Sequence, residues 1–275
     1  MKSDNPLVSI IVPTKNSANT IKACLKSIKT QTYKNIEIIV VDNNSSDKTK
    51  NIAEGYTNLV FNKGPERSAQ RNFGALKSKG DYLLFIDSDM ELSTAVVKKC
   101  VEKIHGFKAL IIPEESIGEG FWAKCKALER SFYIGVDWIE AARFFDRKIV
   151  EEFKGYDESQ TGTEDYDLPQ RIKGKYGEKS IGRINSFIRH NEGRLSLSHT
   201  LKKKFYYVGT ANKYLKNKTN SSYFRFQASP IVRYKLFLSN PSKLFSNPII
   251  GVGMLAMKTL EFCAGGLGYL KKIEL

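Results

Sequence analysis

The sequence has 275 residues and is strongly basic: 44 Lys and Arg face 29 Asp and Glu, for a formal net charge of +15. Eleven of those charges arise after residue 198, where thirteen Lys and Arg stand against two acids. The four cysteines form no C-x-x-C pair, so neither a zinc site nor a thiol redox motif is indicated. We expect them to be small buried side chains in a reducing, cytosol-facing environment; they are Cys24, Cys100, Cys125 and Cys263.

Strand and helix patterns alternate over the first 112 residues. Helices are predicted at residues 21–28, 68–77 and 96–104, and strands at 7–12, 36–41, 59–61, 82–86 and 109–112. Strands separated by helices of this length predict an α/β fold with a mostly parallel, twisted sheet and right-handed crossovers. The first apolar run is too short for a signal peptide, so none is expected.

An acidic cluster, Asp87-Ser88-Asp89, directly follows the apolar run 82–86. Two carboxylates at the end of a buried strand repel each other unless a cation lies between them, and a hard divalent cation that also holds a diphosphate is the natural candidate. The alternative is a pair of solvated acids in a turn. The dinucleotide fingerprint G-x-G-x-x-G is missing after the first strand, where Pro13 to Asn16 stand, and this argues against a NAD enzyme.

Four blocks in this order carry a resemblance to a known family: residues 8–16, 40–47, 68–74 and 87–89. Together they resemble family 2 glycosyltransferases of the GT-A fold, over roughly residues 7–195. The resemblance implies transfer of a sugar from a nucleotide-diphospho-sugar, with inversion at the anomeric carbon. A leaving nucleoside diphosphate gains negative charge, so such a site needs positive charge there, and Mg²⁺ or Mn²⁺ suits oxygen ligands.

The resemblance also implies roles for individual residues of the donor half. Asp42 would accept a hydrogen bond from the base, and Arg71 would lie near the diphosphate or nucleoside. Asp87 and Asp89 would hold the ribose and the metal ion. The donor-binding residues expected in full are Pro13, Thr14, Asn16, Asp42, Asn44, Arg71 and Asp87.

Transfer to an acceptor hydroxyl needs a general base, which is typically worth about 10²–10⁴-fold in rate. Thr163-Glu164-Asp165 resembles the family's T-E-D segment, which implies Asp165 as the base and Glu164 as a group that orients the acceptor or the base. The same residues also suit the capping of a helix N-terminus. Both can hold, because a base at a helix start is held rigidly.

His190 follows residues 187–189, where we expect a short strand to give way to a loop. The resemblance implies a histidine at such a place as a further protein ligand of the metal, beside Asp89 and Asp87. A structural role is the alternative. The other two histidines, His105 and His199, are expected at the surface.

After residue 198, basic residues alternate with aromatic ones, a composition that also occurs in nucleic-acid-binding grooves. No nucleic-acid-binding motif accompanies it, and an apolar run from Leu244 to Leu270 follows, broken by Lys258 and Glu261. This favours attachment to a membrane surface, with a basic helical tail packed on the catalytic domain as the alternative. The aromatics are Phe205, Tyr206, Tyr207, Tyr214, Tyr223, Phe224, Phe226, Tyr234 and Phe237.

The apolar run is long enough to cross a bilayer, which needs about 20 residues. Against a simple crossing stand Pro248, several glycines, and two central charges that each cost about 2.5–3.5 kcal/mol on insertion scales. Lys258 and Glu261 share one helix face with Gly251, Met254, Gly265 and Gly268, whereas Ile249, Val252, Ala256, Leu260 and Leu267 lie opposite. We therefore expect one amphipathic helix, or two short ones, lying in the interface or re-entering it.

The sequence as a whole predicts a GT-A domain over residues 1–198, with a donor half to about 112 and an acceptor half from about 113. Residues 199–275 would form a membrane-attachment region. The expected activity is metal-dependent, inverting glycosyl transfer at the cytoplasmic face of the cell membrane to a membrane-held acceptor, with a lipid-linked glycan favoured. No nucleic acid partner is expected. The alternatives are a polyprenyl-phosphate sugar synthase and a non-catalytic nucleotide- or carbohydrate-binding module.

Overall fold

The computed structural model describes residues 5–160, 162–210 and 226–271. The first elements are β1 (Val8–Thr14), α1 (Ile21–Lys29), β2 (Ile36–Asp42), α2 (Thr49–Glu54), β3 (Val60–Asn62), α3 (Arg67–Lys77), β4 (Tyr82–Phe85), β5 (Met90–Leu92), α4 (Val96–Lys103) and β6 (Ala109–Ile111). They are followed by β7 (Glu114–Glu119), α5 (Phe121–Ser131), β8 (Ala142–Asp146), α6 (Arg147–Glu152), α7 (Glu164–Tyr176), β9 (Ile181–Arg183), β10 (Ile188–Arg194), α8 (Leu197–Thr210), α9 (Pro230–Leu238), α10 (Pro241–Leu244) and α11 (Pro248–Lys271).

Seven strands form one sheet in the order β3-β2-β1-β4-β8-β6-β9. Strands β1 to β4 run parallel to one another, β8 is antiparallel to both β4 and β6, and β9 is parallel to β6. The predicted α/β fold with a mostly parallel sheet is therefore confirmed. The predicted strands and helices of the first 112 residues are all present, within one or two residues of their expected ends.

Helices cover both faces of this sheet, so its central strands are apolar throughout. In β1, Ile10 packs into a cluster with residues of α1 and α4, whereas its neighbour Ile11 packs into a second cluster with residues of α6 and α7. Successive strand residues point to opposite faces, which explains why a continuous apolar run, and not an alternating one, marks these strands in the sequence.

Helix α3 lies close to the sheet because Gly74 carries no side chain. A Cβ at Gly74 would come 2.4 Å from Cγ2 of Ile11. The neighbouring Gln70 is buried and donates through Nε2 to the carbonyl oxygens of Thr14, at 2.9 Å, and Val41, at 2.6 Å. These contacts fix α3 at the carboxyl ends of β1 and β2 and thereby set the position of the next residue, Arg71.

The chain divides into two compact units. The first contains the seven-stranded sheet and comprises the chain up to Pro113 together with Ala141–Glu158 and Glu164–His190. The second comprises Glu114–Glu140, Ser159–Thr163 and the chain from Asn191 onward. A boundary at residue 198 between a catalytic domain and a C-terminal region stays a prediction.

The second unit is built mainly from helices, of which α11 is the longest of those described. Among the described residues, α11 is the one helix long and apolar enough to cross a membrane by length and composition, a criterion that core helices of soluble proteins also meet. Pro248 lies in its first turn, and the Asn247 side chain accepts a hydrogen bond from the Ile250 N–H at 3.2 Å. The run that was expected as one or two helices is thus a single helix from Pro248.

Three of the four cysteines are buried as predicted, but the prediction for Cys263 is wrong, because its side chain is exposed on α11. The residue lies on the helix face opposite Lys258 and Glu261, where the side chains are mostly exposed and Thr259 shares a hydrogen bond with the Tyr234 hydroxyl of α9. Of the aromatic residues of the basic region, Tyr214, Tyr223 and Phe224 lie outside the described residues.

Candidate active site

Asp87, Ser88 and Asp89 form a turn that connects β4 to β5. The Met90 N–H donates to the Asp87 carbonyl oxygen at 3.0 Å, and Ser88 Oγ donates to Ser17 Oγ at 2.8 Å. Strand β4 lies between β1 and β8, so the two carboxylates emerge at the centre of the sheet, at the carboxyl end of a parallel strand. Open α/β sheets bind their ligands at this edge.

Arg71 on α3 joins this turn to the start of α7. Its side chain is 0% exposed and donates to Asp87 Oδ1 at 2.7 Å and to Asp165 Oδ1 at 2.5 Å. Its guanidinium also lies 5.1 Å from the centroid of the Tyr156 ring. Burial disfavours the charge of Arg71, but Asp165 and Asp87 outweigh this effect and raise its pKa well above the usual value. A single buried cation therefore sets the spacing of two predicted site carboxylates.

The environment of Asp87 keeps it ionised. Burial works to raise the pKa of its carboxyl, but Arg71, Arg143 and Arg67 outweigh burial and hold that pKa well below its usual range. Arg143 on β8 lies 3.8 Å from Asp87 Oδ2. Asp87 thus has one oxygen bound by Arg71 and the other facing Arg143, so arginines balance its charge within the protein.

Glu164 and Asp165, the first two residues of α7, differ in exposure. The Glu164 side chain is 3% exposed and pairs with Arg67 at 2.8 Å, whereas the Asp165 side chain is 25% exposed. Burial and the neighbouring Asp165 charge raise the pKa of Glu164. Within the described residues, Glu164 Oε2 is buried without a hydrogen-bond partner. Of the two, Asp165 is the carboxylate that solvent, and hence an acceptor, can reach.

Asp89 lies beside His190, because β5 pairs antiparallel with β10 and places His190 opposite Met90. Asp89 Oδ2 is 3.3 Å from His190 Nε2. The prediction that His190 stands where a strand gives way to a loop is wrong: β10 continues to Arg194, so His190 is held within a strand. The pairing of β5 with β10 therefore brings Asp89, next to Met90, close to His190.

The Asp89–His190 pair can contribute two ligands to a divalent cation. Asp89 Oδ1 is buried and has no hydrogen-bond partner among the described residues, so it is available to a ligand. Those residues contain no group of three or more His, Cys, Asp or Glu placed to hold a metal ion by themselves. The pair therefore fits an ion such as Mg²⁺ or Mn²⁺ that takes its other ligands from phosphate oxygens and water.

The predicted donor-binding residues of β1 and β2 lie at neighbouring strand ends. Thr14 is in register with Asp42, and Pro13 with Val41. Both oxygens of Asp42 accept hydrogen bonds from Ser45, from its N–H at 2.8 Å and its hydroxyl at 2.5 Å. Within the described part of the chain, Thr14 Oγ1 is buried without a hydrogen-bond partner, so it too can receive a ligand.

Asn16 and Asn44 lie in the loops that follow these strands, and both are exposed. They adopt positive φ angles, 49° and 50°, which asparagine tolerates better than most residues. Asn16 Oδ1 accepts from the Ser46 N–H at 2.8 Å, and Asn62 Oδ1 accepts from the Asn44 N–H at 3.1 Å. The first contact joins the two loops and the second joins the Asn44 loop to the end of β3, with both asparagines at the surface.

Sequence reasoning missed three residues that surround Arg71 and Asp87. Arg67 pairs with Glu164, Arg143 faces Asp87, and Tyr156 packs on the Arg71 guanidinium. Arg143 left a signal in the sequence, because it is a lone charge between the apolar strand residues Ala142 and Phe144. No local pattern marks the other two.

A family profile described as "Glycosyl transferase family 2" matches residues 9–162, from the second residue of β1 to beyond α6, and this range includes most of the site described above. The chain belongs to glycosyl transferase family 2. Among curated relatives of this family 2 protein is the GalNAc(5)-diNAcBac-PP-undecaprenol beta-1,3-glucosyltransferase of Campylobacter jejuni, 27% identical over 180 residues, or 58% of this chain and 57% of that protein. The chain spans between 16% and 57% of the length of the first curated relatives it matches.

Solved structures show that this family 2 protein has the GT-A fold. A mannosyltransferase from Pyrobaculum calidifontis, in complex with GDP-Man and Mn²⁺, superposes with a TM-score of 0.63 at 15% identity, over 98% of this chain and 88% of that one. The glucosyl-3-phosphoglycerate synthase of Mycobacterium tuberculosis, solved with UDP and either Mn²⁺ or Mg²⁺, superposes with a TM-score of 0.54 over 76% of this chain and 79% of that one, at 17% and 16% identity.

Proposed function

We propose that the protein transfers a sugar from a nucleotide-diphospho-sugar to an acceptor hydroxyl, with inversion at the anomeric carbon. The observation that carries this proposal is the pair of salt bridges that Arg71 forms with Asp87 and Asp165. Asp87 belongs to the acidic turn expected to face the donor, and Asp165 is the expected base. A fixed distance between Asp87 and Asp165 suits glycosyl transfer, because the reaction depends on the alignment of the donor sugar with the acceptor hydroxyl.

Asp165 has the exposure and the anchoring of a general base. One of its oxygens is held by Arg71, which leaves the other to take the proton from the acceptor hydroxyl. That acceptor oxygen then forms the new bond to the anomeric carbon as the bond to the nucleoside diphosphate breaks on the opposite face. Glu164, buried against Arg67, orients the start of α7 and with it the base.

The donor is assigned to the carboxyl edge of β1, β2 and β4. Pro13, Thr14, Asn16, Asp42 and Asn44 would line the base and ribose pocket, and this is supported by the Thr14 hydroxyl, which has no hydrogen-bond partner among the described residues. Arg71 was expected to lie near the diphosphate or nucleoside; since it is fully buried between two carboxylates, we propose a positioning role for it.

Asp89 and His190 would hold a divalent cation, Mg²⁺ or Mn²⁺. When bound, such an ion stabilises the negative charge that develops on the leaving diphosphate. Asp87 was expected to share this task, but its pairing with Arg71 favours a supporting place behind Asp89. The metal complexes of the two GT-A neighbours support the use of a divalent ion.

For the acceptor we propose a lipid-linked glycan held at the cytoplasmic face of the cell membrane. The support is the undecaprenol-linked glycan in the name of the Campylobacter jejuni relative, together with the apolar helix α11 of this chain. Residues 1–198 would supply the catalysis and residues 199–275 the attachment.

The direct test is a screen of nucleotide sugars for release of nucleoside diphosphate, with and without Mn²⁺ or Mg²⁺, and with lipid-linked or soluble glycan acceptors. We expect release to require a divalent ion and to rise with the correct acceptor. A protein that binds nucleotide sugars but releases no nucleoside diphosphate under any condition is a binding module, and that result contradicts the proposal. Transfer to a bare polyprenyl phosphate would identify a polyprenyl-phosphate sugar synthase instead.

A further inference from the structure

Helix α11 exposes a continuous apolar stripe. Its exposed positions recur at intervals of three and four residues, so they lie along one face of the helix. Ile249 is 73% and Leu267 62% exposed. From the first to the last of them the stripe runs about 32 Å at the helical rise of about 1.5 Å per residue, and it holds no charge. Its members are Ile249, Val252, Ala256, Thr259, Leu260, Cys263, Gly266, Leu267 and Leu270.

The opposite face of α11 is buried and carries the charges. Lys258 donates to Glu129 of α5 at 2.6 Å and to Glu261 at 3.0 Å, and Lys126 donates to Glu129 at 2.6 Å and to Glu261 at 2.5 Å. These four residues form what we call the ion cluster. Tyr133 also donates its hydroxyl to Glu129. Every charge of the cluster is therefore matched inside the unit.

Close packing holds α11 to the helices of the second unit. A Cβ at Gly253 would come 2.3 Å from the Phe121 ring of α5, and one at Gly268 would come 2.2 Å from the Phe205 carbonyl oxygen of α8. Tyr234 of α9 donates its hydroxyl to the Leu255 carbonyl oxygen at 3.4 Å. The buried face is thus fixed by contacts on three helices, and the apolar stripe is left outward.

This arrangement reverses the amphipathicity of an ordinary surface helix, in which the apolar face is buried and charges face water. The neighbouring helix α9 likewise exposes Ile231 and Leu238, which are 70% and 54% exposed. Exposed lysines accompany these apolar side chains within the unit: Lys202, Lys203, Lys235 and Lys271. An apolar surface of this extent on a folded unit indicates a partner.

We propose that the exposed stripe of α11 docks in the plane of an anionic lipid surface, with its buried face and the ion cluster remaining inside the folded unit. If the proposed function holds, this docking would bring the enzyme to an acceptor held in the membrane, and only this link to the acceptor rests on the proposed function. Aliphatic side chains enter the boundary of the acyl chains while lysines meet lipid phosphates.

Two other placements fit these observations less well. A membrane-spanning α11 would face lipid on all sides, and this requires the helix to leave the partners of Lys258 and Glu261 on α5. A second copy of the chain would bring together two segments that each carry a net charge of +11 over residues 199–275, and like charges repel. An anionic lipid surface complements both the charge and the apolar stripe.

The test is co-sedimentation of the full chain with vesicles of phosphatidylcholine, pure or containing about one quarter phosphatidylglycerol. We expect binding to the anionic vesicles, and at least about 10-fold weaker binding by Leu260→Glu/Leu267→Glu, because both side chains leave water on docking. The matched control is Leu76→Glu, a leucine of α3 that is 77% exposed in the first unit and should leave binding unchanged. Thermal melting checks that the variants stay folded.

Cys263 provides the readout for orientation, since it lies on the stripe and the other three cysteines are buried. A polarity-sensitive fluorophore on Cys263 should shift to the blue with anionic vesicles and be quenched more by headgroup-level than by mid-bilayer quenchers. Stronger mid-bilayer quenching indicates a crossing helix and overturns the proposal. The proposal is also overturned if Leu260→Glu/Leu267→Glu binds the anionic vesicles as well as wild type does. It is likewise overturned if the wild-type protein forms a dimer in lipid-free solution and the same double variant is a monomer. No donor or acceptor is present, so failure here leaves the proposed glycosyl transfer untouched.

Discussion

At the scale of single residues, the geometry of the candidate site depends most on Arg71. Replacing Arg71 with Ala leaves Asp87 and Asp165 without their shared partner, and breaking such a buried pair costs about 3–5 kcal/mol of unfolding free energy. Arg71→Lys keeps the positive charge, but the lysine ammonium cannot bind both carboxylates at once as the planar guanidinium does. We expect Arg71→Lys to lose less stability than Arg71→Ala, with kcat at least about 10-fold lower and the donor KM within a few-fold of wild type.

Urea unfolding and initial-rate kinetics measure both effects. The control is Arg189→Lys, since Arg189 is exposed on β10. Wild-type kcat in a folded Arg71→Lys protein would show that Arg71 does not position the reacting groups.

Asp89 allows a test of the metal site. Replacing Asp89 with Asn removes the negative charge that we assign to the divalent ion, while the turn and the strand behind it are retained. Calorimetric titration of nucleoside diphosphate should show about 10-fold or more tighter binding by wild type with Mn²⁺ than without it, and the variant should lose this gain along with turnover.

Glu54→Gln is the matched control, since Glu54 is exposed on α2. Equal turnover by Asp89→Asn in metal-free buffer would rule out a metal-dependent mechanism through this residue.

The sequence predicted the residues of the candidate site, but it did not predict which distant residues they contact. Local patterns mark Asp87, Asp89 and Asp165, because strand ends and helix starts are visible in short windows. The partners come from distant segments: 94 residues separate Arg71 from Asp165, and 101 separate Asp89 from His190. Pairings at such distances depend on how the strands and helices assemble, which no local window contains.

At the scale of elements, glycines decide how α11 packs. The Gly268→Ala substitution places a Cβ against the α8 backbone, so we expect it to lower the unfolding free energy by about 1–3 kcal/mol. Gly266→Ala is the matched control: no atom lies within 4 Å of a Cβ there, and alanine favours a helix over glycine by about 1 kcal/mol. Denaturant unfolding should give opposite signs for the two variants. Equal destabilisation would contradict the described packing of α11 on α8.

Lys204 on α8 gives the second unit a predictable pH dependence. Burial, together with the nearby Lys258 charge, lowers its pKa to about 8. A lysine with a lowered folded-state pKa costs stability below pH 8, and this cost disappears as the pH rises to its unfolded value of about 10.4. Lys204→Met should therefore stabilise the protein by about 1–3 kcal/mol at pH 7, with a gain that shrinks between pH 8 and 10.5.

Unfolding at several pH values checks this, with Lys202→Met, an exposed lysine of the same helix, as control. A gain that does not change with pH would assign the effect to packing and not to the charge of Lys204.

Periodicity predicted elements well where one face is buried against a large core, as in α1, where Ile21, Cys24, Leu25 and Ile28 are all buried. It failed at β5, which has three residues, and at the end of β10; these two strands pair with each other although they lie far apart in the sequence. For α11 the division into two faces was predicted correctly, but the burial of the charged face depends on Glu129 and Lys126 of α5, which the sequence did not connect to Lys258 and Glu261.

At the scale of the whole molecule, donor binding and acceptor activation are assigned to different residues of the same compact unit, the first. Asp165→Asn separates them: asparagine keeps the shape and an oxygen that can accept from Arg71, but it cannot take a proton from a hydroxyl. The matched control, Glu102→Gln, makes the same change in charge at an exposed position of α4.

The most direct test of the central claim is therefore to measure glycosyl transfer and nucleotide affinity side by side for wild type, Asp165→Asn and Glu102→Gln. The account predicts that Asp165→Asn lowers transfer by about 10²-fold or more with little change in nucleotide affinity, and that Glu102→Gln changes neither. Transfer at the wild-type rate, or loss of nucleotide affinity together with transfer, would contradict the assignment of Asp165 as the base.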